Sequence, residues 1–254
     1  VTSSGLGLTS PTYTHGSTAS TSVQFIAEIN GYQYETLSDA IAAARSGNTI
    51  TLLKDITETN KIIFTTSATL ELNGKTITLD DANSSFGGVT LSKGNTVAGL
   101  RTTAGTLTIQ DSVGGGGIKS DNEFVVPLAA MGGKLIVKSG NYSIDSTCES
   151  VVYAHNSAIE IYGGTFTNKA ATYDYNQNFK GIVLNAGNNQ PTASITCYGG
   201  TYSGESPASG DDTGTPSTFV ASGYQVTNNA DGTYTVSAIP VVLPPDTNPG
   251  TTGG

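Results

Sequence analysis

The sequence predicts an all-β fold in which short parallel strands stack as the coils of a right-handed parallel β-helix. Three observations support this prediction. First, charged residues make up only 12% of the 254 residues and 32 residues are glycine, a balance typical of short strands joined by turns. Second, an imperfect motif recurs along the middle of the chain. Third, apolar and polar residues alternate inside each copy, which is the pattern of a strand with one buried face.

The recurring motif consists of two apolar residues two positions apart, a glycine at a bend, and a further apolar or aromatic residue. Residues 106–118 form a copy with a longer glycine bend, and residues 48–56 form an entry copy. A strand this short cannot bury its apolar face alone, so successive copies are expected to stack in parallel, about 4.8 Å apart. Four copies place the first apolar residue and the last residue seven positions apart, at Leu70–Ile77, Leu135–Tyr142, Ile159–Phe166 and Ile195–Tyr202.

A third apolar stretch lies between copies, so one coil is predicted to contain three strands joined by loops of variable length. These stretches are residues 88–92, 123–131, 150–154, 181–185 and 217–221. A β-sandwich is the competing architecture, because it would use hairpin turns. Asn-Gly or Asp-Gly pairs do occur at 30–31, 73–74 and 231–232, but the first and last pairs lie at the ends of the repeat region, where caps belong.

Both ends of the repeat region carry predicted caps. Residues 36–47 are predicted to form a short amphipathic helix, in which Thr36 and Asp39 resemble a capping box and Gly47 ends the helix. Residues 223–236 are predicted to form a β-hairpin that turns at 231–232. Each cap would cover apolar core and unpaired strand edges at an open end of the β-helix.

Three regions of the chain differ in composition. Residues 1–23 are rich in Ser, Thr and Gly without periodicity and are predicted to be an arm or linker. Residues 24–238 contain the repeat and form the predicted β-helix domain. Residues 239–254, rich in Pro, Gly and Thr, are predicted to be a tether.

The distribution of charge argues against nucleic acid and membrane partners. The net charge is −9 and the 11 Lys and Arg residues are scattered, so there is no basic stripe for nucleic acid or an anionic membrane. The longest apolar run, residues 124–131, contains Pro127 and is too short to span a bilayer. The polar, lysine-poor surface predicts an extracellular protein.

The two cysteines are not spaced as metal ligands. Cys148 and Cys197 lie 49 positions apart. Cys197 occupies a strand position that aliphatic residues fill in other copies, so it is expected to be a buried thiol. Whether the two cysteines pair is left open.

The quoted motifs resemble a known family. INGYQYETLSDAIAAARSGNTITLLKDI (29–56), followed by TLELNGKTITL (69–79), resembles the opening of pectate-lyase-like β-helix domains in bacterial secreted and surface proteins. YGGTF, YGGTY and the closing GYQVTNNADGTYTV are similar to later parts of the same proteins. The resemblance covers about residues 26–238 and implies the fold. It leaves function open, because this architecture hosts lyases, hydrolases, adhesins and phage fibre or tailspike modules alike.

The resemblance carries over no catalytic residue. Lyases on this fold resemble one another in using carboxylates to hold Ca²⁺ and a basic residue to remove a proton. Arg101 is expected to be a solvated surface arginine in a loop without nearby acids. The paired aspartates at 80–81 and 211–212 are expected to be turn residues. His15 and His155 cannot form a metal pair within one element, so no metal or cofactor is predicted.

The loop at residues 170–181 is the strongest predicted binding site, because its aromatic residues alternate with amide and carboxylate groups. Sugar rings bind where apolar faces lie beside hydrogen-bonding groups. The alternative, that the loop aromatics only pack on the coil below, is left open. The glycan-binding candidates are Tyr153, His155, Tyr173, Asp174, Tyr175 and Asn176.

The function expected from the sequence is that of a non-enzymatic structural or adhesive module of a bacterial surface protein or of a phage virion appendage. Its expected partners are a surface glycan or neighbouring protein subunits. One alternative is a polysaccharide lyase or glycoside hydrolase on the same fold. Another is a self-assembling filament or capsid-decoration subunit, which would form a homo-oligomer through the arm at 1–23 or through an open coil end.

Overall fold

The structure is a computed structural model, and it describes residues 24–80, 97–121, 125–145, 150–169, 182–187, 192–208 and 218–241. Within these ranges the chain is almost entirely β-structure, with one helix, α1 (Leu37–Ala43), between the second and third strands. In chain order the strands are β1 (Ala27–Ile29), β2 (Tyr32–Tyr34), β3 (Asn48–Leu52), β4 (Ile56–Glu58), β5 (Ile62–Phe64), β6 (Ala68–Glu71), β7 (Thr76–Leu79), β8 (Val97–Thr102), β9 (Thr106–Gln110), β10 (Gly117–Ser120), β11 (Val125–Ala130), β12 (Lys134–Val137), β13 (Asn141–Ile144), β14 (Val152–Ala154), β15 (Ala158–Ile161), β16 (Thr165–Asn168), β17 (Leu184–Ala186), β18 (Ser194–Cys197), β19 (Thr201–Ser203), β20 (Tyr224–Asn228) and β21 (Tyr234–Ala238).

The strands form three sheets that the chain visits in turn. The first sheet has the order β2-β1-β3-β6-β9-β12-β15-β18, the second β4-β7-β10-β13-β16-β19-β21-β20, and the third β5-β8-β11-β14-β17. From β3 to β19 the described strands pair in parallel with the strand three places further along the chain. The all-β prediction and the parallel pairing are confirmed, and the strand order is consistent with a β-helix-like solenoid.

The core lies between the sheets, where inward side chains from successive repeats stack directly on one another. In the first sheet one inward column has an aliphatic residue on each strand until the last, where a cysteine takes the position. All six side chains are buried, because period-two alternation points every second residue inward. The column is Ile50, Leu70, Ile109, Val137, Ile161 and Cys197.

The residue at the end of each seven-residue spacing forms a second inward column, on the second sheet. Ile77 and Ile118 precede three aromatic rings, Tyr142, Phe166 and Tyr202. The three rings stack with centroids 5.1 Å apart at both steps. The two buried hydroxyls donate to the carbonyls of Ser139 and Gly199 at 2.6 and 2.7 Å, so neither polar group is left unpaired.

The repeated Tyr-Gly-Gly step has a steric explanation. A Cβ atom on Gly163 would lie 2.6 Å from the carbonyl oxygen of Lys138 in the repeat before it. Gly164 has a φ of 109°, in the left-handed region that favours glycine. The first glycine therefore permits close approach between repeats, and the second permits the bend that leads into the aromatic residue.

One antiparallel hairpin closes the start of the first sheet, and another closes the end of the second sheet. At the start, β1 pairs with β2 and with β3, and Asn30 and Gly31 both take positive φ in the turn. At the far end, β20 pairs with β21, which pairs with β19, and the turn contains Gly232 at φ 83°. The predicted C-terminal hairpin is thus confirmed. Pairing of this kind covers strand edges that would otherwise be open.

The predicted cap helix is present but shorter than predicted. The Thr36 hydroxyl accepts from the amide of Asp39 at 3.0 Å, which is the N-cap half of a capping box, and donates to the Asp39 carboxylate at 2.6 Å. The helix ends at Ala43 because Ala44 is extended, with ψ 136°, and Arg45 donates its amide to the side chain of Asn48 instead. No helix of the described residues is long and apolar enough to cross a membrane.

The third sheet contains two strands that the sequence did not predict, and it lacks one predicted stretch. The unpredicted strand β5 opens it, and β8, where a loop was expected, takes the next position. The stretch predicted at 88–92 lies outside the described residues. Near the end of the chain, Val220 bridges to Cys197 of the first sheet, so the predicted stretch 217–221 does not extend the third sheet.

Candidate functional site

Three tyrosines form a surface cluster near the C-terminal end of the first sheet. Tyr162 directly follows β15, and Tyr198 directly follows β18. Their rings stack with centroids 4.8 Å apart and planes 9° apart. Tyr224 of β20 meets Tyr198 edge-on at 5.5 Å. We refer to Tyr162, Tyr198 and Tyr224 as the tyrosine cluster.

The register of the first sheet produces this stack. Ile161 pairs with Cys197, and the amide of Tyr198 donates to the carbonyl of Ile161 at 2.7 Å. The tyrosines that follow these two residues therefore leave the sheet at the same point of successive repeats. Since parallel strands lie about 4.8 Å apart, their rings meet face to face outside the core. Tyr162 remains 49% exposed.

Two charged side chains border the cluster. The carboxylate of Glu160 accepts from the Tyr162 hydroxyl at 3.2 Å and from the Lys134 ammonium at 2.7 Å. Glu160 and Lys134 point outward from adjacent strands β15 and β12, and both remain partly exposed. The pKa of the Tyr162 hydroxyl is raised, mainly by desolvation and secondly by the negative charge of Glu160. The surface thus combines aromatic rings with an uncharged hydroxyl, a carboxylate and an ammonium, which suits recognition of sugar hydroxyls.

Sequence reasoning missed the cluster although a signal was present. Tyrosine precedes the Gly-Gly step in the two copies at residues 158–166 and 194–202. Equivalent positions in adjacent copies become neighbours when the copies stack. Reading outward positions across copies, as well as inward ones, would have placed Tyr162 against Tyr198.

The structure describes two of the six predicted glycan-binding residues. It brings Tyr153 and His155 together on the third sheet, with the Tyr153 hydroxyl 3.4 Å from Nδ1 of His155. Tyr153 is only 1% exposed, so its ring has no free face for a sugar, and the expectation that it lines a binding surface is corrected. His155 is half-buried. The remaining candidates, Tyr173, Asp174, Tyr175 and Asn176, lie outside the described residues.

The prediction for Arg101 was wrong. This residue lies in β8 and not in a loop, and it is only 7% exposed. Among the described residues, its Nε and Nη1 atoms have no hydrogen-bond partner, and both are buried. Desolvation lowers the pKa of the guanidinium group. The segment GLRTTAG was predicted to be a loop, yet its residues Leu100, Arg101 and Thr102 pair with both β5 and β11.

Two described carboxylates, Glu71 and Asp111, accept hydrogen bonds from backbone amides at the bends of the chain. Glu71 accepts from the amides of Asn73 and Ser112, both at 2.9 Å. Asp111 accepts from the amides of Gly74 and Gly116, both at 2.7 Å. Backbone amides therefore occupy the Glu71 and Asp111 carboxylates. These hydrogen bonds stabilise the bends between the first and second sheets.

The other residues singled out from the sequence are placed as follows. Cys197 is a free, buried thiol as predicted, and burial raises its pKa to about 12, which suppresses the reactive thiolate. Asp80 is half-buried directly after β7. No group of three or more His, Cys, Asp or Glu side chains in the described ranges could hold a metal ion. Asp81, Asp211, Asp212, His15 and Cys148 lie outside the described residues.

A scan against protein-family models and searches of curated proteins and of solved structures find no match to this chain.

Proposed function

We propose that this chain is a right-handed parallel β-helix that acts outside the cell as a non-enzymatic adhesive module, on a bacterial surface or a phage virion appendage, and binds glycan through the tyrosine cluster. The strand order supports the architecture, because each circuit of three strands returns the chain to the first sheet. A right-handed path is the expected one, since crossover connections between parallel strands are right-handed in nearly all proteins.

The outward face of the second sheet supports the structural part of the proposal. Its side chains are hydroxyl and amide groups with one lysine, and they leave the inward positions to the core. Such a surface is well hydrated and stiffened by continuous backbone ladders, as a spacer that presents a binding site would need. The residues that share this face are Thr76, Thr78, Lys119, Asn141, Ser143, Thr165, Thr167, Thr201 and Ser203.

The stack of the exposed Tyr162 on the half-buried Tyr198, beside Glu160, carries the adhesive part of the proposal. A surface tyrosine whose ring is not needed for the core still contributes apolar area and a hydroxyl. Glu160 and Lys134 add an acceptor and a donor within reach of that ring. Sugars bind where such groups converge beside an aromatic surface.

A glycan array tests this proposal with the intact chain and with Tyr162→Ala and Tyr198→Ala. We expect the intact chain to retain a defined set of glycans, and each substitution to weaken binding about tenfold or more, equivalent to about 1.4 kcal/mol. Tyr32→Ala is the matched control, because Tyr32 is 75% exposed at the opposite end of the first sheet.

A reducing-end assay on every retained glycan separates binding from cleavage. New reducing ends would contradict the non-enzymatic part of the proposal and favour the carbohydrate-active alternative. Equal binding by the intact chain and both cluster variants would place the glycan elsewhere, and failure to retain any glycan would remove the adhesive role.

A further inference from the structure

The outward residues of the third sheet that align with Arg101 are buried from β8 to β17, in contrast to the outward residues of the first sheet. All six residues of β11 are buried, whereas outward residues of β12 in the first sheet are half-buried. The register aligns Arg101, Ala129, Tyr153 and Asn185 on successive strands of this outward face. Each of these four side chains is at most 7% exposed. A charged residue thus lies in a largely desolvated column.

The charge of Arg101 lacks compensation among the described residues. Its Nε and Nη1 atoms have no hydrogen-bond partner, and its direct neighbours in the sheet, Ile63 and Ala129, carry no side-chain acceptor. Arginine does not lose its proton in proteins, so it cannot escape the desolvation cost by becoming neutral. A buried charge is tolerated when an opposite charge and hydrogen-bond acceptors accompany it.

We infer that Arg101 holds a small inorganic anion, of the size of chloride or bromide, on the outward face of the third sheet. Such an ion supplies both the missing negative charge and the missing acceptor. Small size follows from the surroundings, because Ala129 beside Arg101 and Tyr153 on the strand after it are 0% and 1% exposed and leave no open groove for a polymer along the column. The site is separate from the tyrosine cluster, which lies on the first sheet, and does not depend on the proposed glycan binding.

Bromide is a suitable probe because it scatters anomalously and is close to chloride in size. We expect crystals of the intact chain grown in sodium bromide to show an anomalous peak within hydrogen-bonding distance of the Arg101 guanidinium nitrogens. We also expect the Tm of the intact chain to rise by roughly 3–5 °C for each tenfold increase in bromide above its Kd. Sodium gluconate, whose anion is too large for the site, keeps the ionic strength constant.

Two arginine substitutions make the measurement specific. Arg101→Met removes the charge while keeping an unbranched side chain, and its Tm should no longer respond to bromide. Arg45→Met is the matched control, since Arg45 is exposed, and should respond as the intact chain does. If Arg101→Met fails to fold, the anomalous peak of the intact chain decides alone. Absence of that peak, or an equal bromide response of Arg101→Met and the intact chain, would overturn the inference, including the case in which another carboxylate of the chain neutralises Arg101.

Discussion

At the scale of single residues, one ring in the inward aromatic column of the second sheet contacts the repeats on both sides of it. Phe166 lies between Tyr142 and Tyr202 and stacks on both rings. It is 0% exposed and lacks a hydroxyl, so its contribution comes from packing. Removing the ring would leave a cavity and would also deprive two neighbouring rings of a partner.

We therefore predict that Phe166→Ala lowers the free energy of unfolding by about 3–5 kcal/mol, and that Phe166→Leu costs less because it fills part of the space. Urea unfolding followed by tyrosine fluorescence measures both changes. Tyr32→Ala, an exposed control, should stay within about 0.5 kcal/mol of the intact chain. A loss below about 1 kcal/mol for Phe166→Ala would show that the ring is not packed as described.

The burial of a single residue could be predicted from the sequence in one case and not in another. Cys197 was placed correctly in the core because its position within the motif predicts its direction. Arg101 was placed wrongly because the partner strand β5 carries no recognisable copy of the motif. Residue type alone favours exposure for arginine, and only the pairing of β8 with both neighbours places it in a buried column.

At the scale of elements, the bends between the first and second sheets depend on carboxylates. Burial acts to raise the pKa of Glu71, but hydrogen bonds from Ser112, Gln110 and Asn73 outweigh it and hold the pKa below the ordinary value of 4.5. Glu71 thereby ties the bend after β6 to the bend after β9, which belongs to the next repeat. The ionised form is the one that the fold stabilises.

We predict that this contribution is present above the unfolded-state pKa near 4.5 and is lost as the pH falls through the lowered pKa of the folded state. Glu71→Gln should therefore lower the stability at pH 7 by about 1–2 kcal/mol and lose less on acidification than the intact chain does. Urea midpoints at a series of pH values measure the difference. Glu35→Gln, on an exposed residue before the cap helix, is the control. Parallel pH curves for Glu71→Gln and the intact chain would contradict this role.

The caps are the elements that the sequence predicted best, because each has a local signature. Thr36 and Asp39 are only three residues apart, and the Asp231-Gly232 turn joins strands that are adjacent in the chain. The end of the helix was predicted less well. Gly47 has positive φ as a terminating glycine would, but its amide donates to Ser67 of the next repeat, so it belongs to the following turn.

At the scale of the whole molecule, stacking leaves strand edges only at the ends of the sheets. The hairpin of β20 and β21 covers β19 through antiparallel pairing at Thr201 and Tyr202. Without it, the end of the second sheet would present unpaired backbone groups next to the last ring of the aromatic column. Such an edge is a template for pairing with another chain.

We predict that a variant ending at residue 222, which lacks β20 and β21, self-associates, whereas a variant ending at residue 241 behaves like the intact chain. Size-exclusion chromatography with light scattering measures the mass of each at several concentrations. The second variant is the control, because it removes only residues beyond the hairpin. A monomeric mass for the shorter variant at all concentrations would show that the hairpin is not needed to protect the edge.

The sequence by itself determined the periodic features of this protein. The seven-residue spacing, the alternation within strands and the local cap signatures predicted an all-β chain, its stacked core columns and its two ends, because these depend on residues close together in the chain. The tertiary structure decided which outward residues become neighbours. Tyr162 meets Tyr198, and Arg101 enters a buried column, because pairing between repeats sets the register across connections of different length. The pattern within a single copy does not specify that register, and the two proposed binding sites both depend on it.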